Sequence, residues 1–99
     1  MTKLLFHKKD TTKEKDIIEQ KIWKVDKSKH FPQGIKYSLV YIHKNKRMIG
    51  YDNERAKGHH KHYLDKEQKY NFKNLEQLQI DFTNDIKKLK ELLYGNQKN

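Results

Sequence analysis

The spacing of apolar residues changes once along the chain, and this change restricts the possible folds more than any other feature. Up to about Phe72, apolar and polar residues alternate in short runs, which is typical of β-strands. After Asn74 the apolar residues recur at the period of one face of an α-helix, at Leu75, Leu78, Phe82, Ile86, Leu89 and Leu93. The sequence therefore predicts an α+β fold, in which an antiparallel β-sheet of about five to six short strands carries one long C-terminal helix on one face.

Turn-forming residues divide the first part of the chain into candidate strands. The predicted strands cover residues 3–7, 16–25, 34–43, 46–52, 59–64 and 68–72. Residues 8–15 are expected to form a polar connection between the first two strands. Residues 44–45 and 65–66 are expected to form tight turns that join antiparallel neighbours.

Side-chain alternation assigns the strand residues to the two faces of the sheet. On the fourth strand it puts Arg47 on the face of Ile49, with Met48 on the opposite face. Three aromatic strand residues could stack on nucleobases, although in so small a protein core packing is the stronger expectation. These residues are Trp23, Tyr37 and Tyr41.

The predicted helix has recognisable ends. Asn74 is a favoured N-cap residue, and Gln77 lies at the third helical position, as in a capping box. Gly95 follows the apolar stripe and ends the helix, which therefore covers about residues 75–94 of a single domain, residues 1–99. Because the stripe spans only about two and a half heptads, packing on the sheet is favoured over pairing with a partner helix.

The chain carries a large excess of positive charge. Lys and Arg together number 23, against 13 Asp and Glu, which gives a formal net charge of +10. Such a field attracts polyanions, and nucleic acid is the commonest polyanion in a cytoplasm. The competing interpretation is that the lysines only keep a small protein in solution.

Several classes of protein are excluded by what the sequence lacks. It has no cysteine, so it has neither a disulfide framework nor a thiolate metal site. Its longest apolar run, residues 39–42, is far shorter than the roughly 20 residues that cross a bilayer. No secretory signal is visible at the start of the sequence. We therefore expect a cytoplasmic protein that does not enter a membrane.

The densest polar segment of the chain contains three of the six histidines. In an extended strand His60 and His62 share one face, while His59 and Lys61 share the other. Histidine transfers protons near neutral pH and is also the commonest metal ligand. Three interpretations are therefore open: acid–base chemistry on a phosphodiester, a metal site with Asp52 as a third ligand, and a polar hairpin rim without chemistry.

Under the first interpretation the segment is a ribonuclease site that needs neither a metal nor another cofactor. His60 and His62 would exchange protons with the attacking 2′-hydroxyl and the leaving oxygen, and Asp52 would orient one of them. Positive side chains would stabilise the charged phosphate. The candidate residues for binding RNA are Arg55, Lys57, Lys61 and Asn53.

The same residues belong to a succession that resembles the TumE family of toxin–antitoxin proteins. The resemblance is carried by Lys3-Leu4-Leu5-Phe6, Ile22-Trp23-Lys24-Val25, Gly34-Ile35-Lys36-Tyr37, Tyr51-Asp52-Asn53, Lys57-Gly58-x-His60-x-His62, Tyr70-x-Phe72 and Leu75-x-x-Leu78-x-x-Asp81-Phe82. Its most specific part is the aromatic-Asp-Asn element followed by Gly-x-His-x-His. One departure is His59, which stands where the family pattern suggests an acidic residue.

The resemblance implies a small bacterial or archaeal toxin whose antitoxin is encoded beside it and is commonly a DNA-binding helix-turn-helix protein. Toxins of this size often act on RNA, so we predict the toxin of a type II toxin–antitoxin system and a metal-independent endoribonuclease. The alternative is a non-catalytic module that binds nucleic acid or a partner, with histidines that are idle or hold a metal. The sequence leaves the oligomeric state, the RNA target and the antitoxin interface open.

Overall fold

The computed structural model describes residues 2–54 and 57–95 of the chain. Its elements are β1 (Lys3–Thr11), β2 (Ile17–Lys24), β3 (Ile35–His43), β4 (Lys46–Glu54), β5 (Gly58–Tyr63), β6 (Lys66–Lys69) and α1 (Leu75–Tyr94). The strands form one sheet in chain order, and each pair of neighbours is antiparallel. The predicted α+β architecture and the predicted bounds of the helix are therefore confirmed.

Several predicted strand boundaries are wrong. The sixth strand, predicted over residues 68–72, is formed by Lys66–Lys69, and the fourth continues to Glu54. The first strand does not end at His7, because the polar residues that follow pair with β2 as far as Thr11. These residues suit a strand because β1 is an exposed edge, where neither face needs apolar side chains. The last turn lies one residue earlier than predicted, because Leu64 adopts a positive φ of 57° and Tyr63 pairs with Lys66.

The turn at residues 44–45 forms as predicted, with φ values of 50° and 64°. The side chains that follow it in β4 do not alternate between the two faces as predicted. Arg47 pairs with Ile42, whereas Ile49 pairs with Tyr41, so Met48 is an extra residue in a β-bulge. Met48 therefore packs against the core. Arg47 lies on the opposite face of the sheet from Ile49, which corrects the face predicted for both Arg47 and Met48.

The core lies between the sheet and the apolar stripe of α1. Leu78, Phe82 and Leu89 are buried, while Leu75, Ile86 and Leu93 pack against them. The sheet contributes Ile22, Tyr37, Leu39, Tyr41, Ile49 and Tyr51. Tyr37 and Tyr41 are thus core residues, as expected. Trp23 is not, because it follows the inward-facing Ile22 and is half-buried on the other face of the sheet.

The helix begins and ends at the predicted residues. The side chain of Asn74 accepts a hydrogen bond from the backbone N–H of Gln77 at 2.7 Å, and the N–H of Gly95 donates to Glu91. The capping box is only half formed, because the Gln77 amide donates to Asp81 instead of returning to Asn74. Within residues 2–54 and 57–95 no helix combines the length and the apolar character needed to cross a membrane.

Tyrosine–aspartate hydrogen bonds connect the helix to the sheet. Tyr51 donates to Asp85 at 2.5 Å, and Tyr70 donates to Asp81 at 2.5 Å. At the far end of α1, Tyr94 donates to the buried Asp16 at 2.5 Å. Because buried carboxylates are costly without such donors, these bonds fix which face of the sheet the helix covers. The opposite face, which we call the open face, is not covered by a helix in the part of the chain that the structure describes.

Candidate active site

A polar cleft lies on the open face, where β4, β5 and β6 run side by side. The pairing of β4 with β5 puts Asp52 opposite His60, and the pairing of β5 with β6 puts His62 opposite Glu67. Side chains directly opposite each other on antiparallel strands come within reach of a hydrogen bond. The residues that line the cleft are Arg47, Asp52, Glu54, Lys57, His60, His62 and Glu67.

His60 is the most enclosed side chain of the cleft, with only 7% of its side chain exposed. Its Nδ1 lies 3.0 Å from the carbonyl oxygen of Gly58, which can only accept, so Nδ1 carries a hydrogen. Its Nε2 lies 2.8 Å from Oδ1 of Asp52 and 3.4 Å from Oε2 of Glu67. Both ring nitrogens therefore face oxygen atoms, and two of the three neighbours are carboxylates.

Glu67 connects the second histidine to the first. Its Oε2 lies 3.2 Å from Nε2 of His62 and 3.4 Å from Nζ of Lys57. Desolvation would raise the pKa of Glu67, but the positive charge of Lys57 and the neighbouring histidines outweigh it and lower that pKa below its ordinary value. His62 is about a quarter exposed, so its ring can be reached from solvent.

Arg47 enters the cleft because of the bulge in β4 and because Gly50 has no side chain. A Cβ atom at Gly50 would lie 3.1 Å from Cδ of Arg47 and 3.4 Å from its Nε. The Arg47 side chain therefore lies across the backbone of β4 so closely that a side chain at position 50 would require Arg47 to shift by a few tenths of an ångström. This brings a permanently charged guanidinium to the carboxylates and histidines of the site.

The structure does not bring all of the predicted site residues together. Asn53 is 2% exposed, and its amide is occupied by the backbone of β3, accepting from Tyr37 and donating to Ile35. Lys61 lies on the helix face, 3.3 Å from Asp85. Arg55 lies outside the described residues. Of the residues predicted to bind RNA, Lys57 is therefore the one seen at the cleft.

The departure from the family pattern at His59 does not alter the cleft, because the His59 side chain lies on the opposite face of the sheet. Its ring stacks on Phe72, with centroids 4.6 Å apart, and its Nδ1 lies 2.8 Å from the hydroxyl of Tyr37. Burial, with a smaller effect from His60, lowers the pKa of His59. Position 59 faces the helix, so an acidic residue there would not have reached His60 or His62 across the sheet.

Three of the residues that line the cleft were not predicted from the sequence: Arg47, Glu54 and Glu67. Glu67 could have been found from the register, since a two-residue turn after Tyr63 places it directly opposite His62. No sequence pattern announces the bulge that turns Arg47 onto the open face, although Gly50 at a strand centre is a recognised sign of close backbone approach.

A second pocket on the open face adjoins the cleft and shares Glu54 with it. It is lined by Thr2, Trp23, Val25, Phe31, Lys36 and Glu54. The ammonium of Lys36 lies 5.5 Å from the centre of the Trp23 ring, within the range of a cation–π contact. The open face thus combines an aromatic surface beside a lysine with a cleft of acid, base and cationic groups.

The class of protein is therefore a small α+β protein whose open face carries a cleft of histidines, carboxylates and cationic side chains. The sequence model of one family, described as toxin TumE, matches residues 4–90 of the 99-residue chain. The chain belongs to the TumE family and is a toxin of a toxin–antitoxin system, so an antitoxin is its partner. No curated protein and no solved structure matches the chain significantly.

Proposed function

We propose that this toxin is an endoribonuclease and that the cleft lined by Arg47, Asp52, Lys57, His60, His62 and Glu67 is its active site. The observation that carries the proposal is the pair of histidines connected by Glu67, one enclosed and one accessible. Two histidines that flank a phosphodiester can supply a base and an acid without a metal. The net charge of +10 supports a polyanionic substrate.

The roles of the two histidines follow from their surroundings. His62, accessible and oriented by Glu67, takes the proton of the 2′-hydroxyl as that oxygen attacks phosphorus. His60, flanked by Asp52 and Glu67, returns a proton from Nε2 to the leaving 5′-oxygen. The bond from phosphorus to the 5′-oxygen breaks, which leaves a 2′,3′-cyclic phosphate and a free 5′-hydroxyl.

Arg47 and Lys57 neutralise the phosphate while it gains charge. In the free protein Lys57 is held by Glu67, and its side chain is mostly exposed, so it can turn to a phosphate oxygen. Arg47 offers paired N–H groups, which suit two oxygens of one phosphate. Asn53 and Lys61, which face the helix side, have no part in this mechanism.

Cleavage in the presence of a chelator tests the proposal. Purified wild-type protein is incubated with a labelled single-stranded RNA and with the DNA of the same sequence, both in excess EDTA. We expect the RNA to be cut to products with 2′,3′-cyclic phosphate ends and the DNA to stay intact, since it lacks the nucleophile. Products with 3′-hydroxyl ends, or cleavage abolished by EDTA, would contradict the mechanism.

A non-catalytic module is the second candidate, and the occupied ring nitrogens of His60 favour it. Nδ1 of His60 is engaged by Gly58, and Nε2 lies against two carboxylates, so the ring can act as a purely structural bridge. In that case the protein would bind RNA, or its antitoxin alone, without turnover. Binding of the labelled RNA without any product in the same experiment would support this candidate.

The adjoining pocket gives the proposal a separate prediction. If Trp23 stacks on a base, Trp23→Ala should weaken binding of single-stranded RNA about tenfold, since stacking contributes about 1–3 kcal/mol per base. The slope of log affinity against log salt should not change, because tryptophan carries no charge. Lys36→Gln is the matched control, and it should reduce that slope. Unchanged affinity in Trp23→Ala, measured by fluorescence anisotropy, would exclude the pocket from the RNA path.

The partner and the site of action are part of the proposal. We expect the antitoxin to be a helix-turn-helix protein encoded next to the toxin. We also expect the toxin to work in the cytoplasm, where its RNA substrates are.

A further inference from the structure

Two carboxylate oxygens converge on Nε2 of His60. Nδ1 carries the hydrogen that is donated to Gly58, so in a neutral ring Nε2 is a lone pair. That lone pair faces Oδ1 of Asp52 and Oε2 of Glu67. A cation between these atoms, either a proton on Nε2 or a metal ion, offsets their repulsion, so a metal ion can take the place of the proton here.

Asp52 points independently to a missing cation. Its Oδ1 is buried and receives no well-directed hydrogen bond from any described residue. Nε2 of His60 is 2.8 Å away, but it lies off the axis that a donated hydrogen would follow. A buried carboxylate oxygen without a donor is costly and requires an explanation.

We infer that the cleft binds one divalent transition-metal ion through His60, His62 and Glu67, with Asp52 as the fourth ligand. One ligand atom from each of the first three lies within 4.8 Å of the others. Oε2 of Glu67 is 3.4 Å from Nε2 of His60 and 3.2 Å from Nε2 of His62. Ligand atoms that surround zinc in a tetrahedron, each about 2.1 Å from the ion, are about 3.4 Å apart. The two distances from Glu67 are already close to this value. Asp52 moves outward slightly to complete the set.

The ligand types select the kind of metal. Two imidazoles with carboxylates suit zinc and its first-row neighbours, whereas magnesium and calcium prefer oxygen ligands alone. Two neutral histidines with two carboxylates carry a charge that a divalent ion cancels. Lys57, which neutralises Glu67 in the free protein from 3.4 Å, has an exposed side chain and can leave as the metal enters.

Metal binding has a consequence that rests on the proposed function. A metal on Nε2 of His60 takes the place of the proton that the acid delivers. A metal on His62 and Glu67 breaks the pairing that orients the base. The metal-loaded protein is therefore the inactive form, and the available zinc concentration sets the fraction of active toxin.

The binding is tested without any assay of activity. The purified full chain is stripped with EDTA, dialysed, and titrated with ZnCl₂ by calorimetry, with thermal unfolding measured at each stage. Wild type should bind one zinc per chain and unfold at a higher temperature when loaded, while MgCl₂ should have no effect. His62→Ala and Glu67→Gln, both at partly exposed positions, should each lower zinc affinity at least about 100-fold, more than an outer-sphere change costs.

His7→Ala is the matched control, because His7 forms another histidine–glutamate pair on the sheet, 2.8 Å from Glu19, and should bind zinc as the wild type does. Absence of zinc binding in the wild type, or equal binding by His62→Ala and Glu67→Gln, overturns the metal site and leaves RNA cleavage untouched. Zinc binding by a protein that never cleaves RNA overturns the proposed function and leaves the site. Cleavage that requires zinc overturns the inhibitory role.

Discussion

Replacing His62 by alanine is expected to abolish the growth arrest that the toxin causes when it is expressed without its antitoxin. In vitro, the rate of RNA cleavage should fall at least about 100-fold, the usual loss when a positioned base is removed. The fold should hold, because His62 is partly exposed and its substitution costs less than about 1 kcal/mol. Growth of the expressing cells, cleavage of labelled RNA and the midpoint of thermal unfolding measure the three expectations.

His7→Ala is the control for this experiment, because His7 also pairs with a glutamate but lies on the edge strand. His43, although remote from the cleft, is not a suitable control, since its Nδ1 lies 2.7 Å from the buried Asp16. His60→Ala should be as inactive as His62→Ala, and the double variant scarcely worse, because members of one catalytic unit do not act additively. Full toxicity of a stably folded His62→Ala variant would contradict the mechanism.

A substitution of His60 tests the mechanism less clearly than a substitution of His62, because His60 also contributes to the packing of the protein. The sequence analysis put both histidines on a polar rim where substitution should barely affect stability, but His60 is 7% exposed and contacts Gly58 and Asp52. His60→Ala therefore removes packing as well as a catalytic group. A loss of activity in that variant is interpretable only beside its unfolding temperature.

The largest stability effect is expected for Asp16→Ala. Asp16 is 2% exposed and accepts hydrogen bonds from Tyr41 and Tyr94, both at 2.5 Å, and faces His43. Removing the carboxylate leaves these donors without an acceptor, which should cost about 3 kcal/mol. For a domain of this size the unfolding temperature should fall by at least about 10 °C.

Asp10→Ala is the matched control, because Asp10 pairs with Lys8 at 3.7 Å and both side chains are more than half exposed. Its effect should stay within about 0.5 kcal/mol. If Asp16→Ala unfolds at the same temperature as Asp10→Ala, the end of the helix is not held to the sheet through Asp16.

The pH dependence of unfolding provides a second measurement of the contribution of Asp16 to stability. Burial would raise the pKa of Asp16, but the hydrogen bonds from Tyr41, Tyr94 and His43 outweigh it, so its pKa is lower in the folded protein than the ordinary 3.8. The unfolded chain therefore takes up this proton first as the pH falls. The contribution of Asp16 to stability is complete above pH 3.8 and declines as the pH falls toward the folded-state pKa. The decline should be absent in Asp16→Ala.

The sequence by itself determined the architecture, because local periodicity decides which elements form. The helical stripe from Leu75 to Leu93, the cap at Asn74 and the turn at residues 44–45 were all visible in the chain, and each formed where predicted. The pairing of His60 and His62 on one face likewise follows from strand alternation alone. The motifs around them were specific enough to indicate the TumE family, which the match to residues 4–90 confirms.

Only the tertiary structure decided which charged groups meet these histidines. A bulge at Met48 turned Arg47 onto the open face, and a turn one residue earlier than expected placed Glu67 opposite His62. The one-residue bulge exchanges the faces of the residues beyond it in β4, and the turn displaced by one residue shifts the pairing of β6 by two. Errors too small to alter the predicted fold therefore change which residues form the site. The same holds for the buried Asp16 and Asp85 and the half-buried Asp81, whose carboxylates accept hydrogen bonds from tyrosines of distant elements. Partners so far apart in the chain leave no local pattern in the sequence.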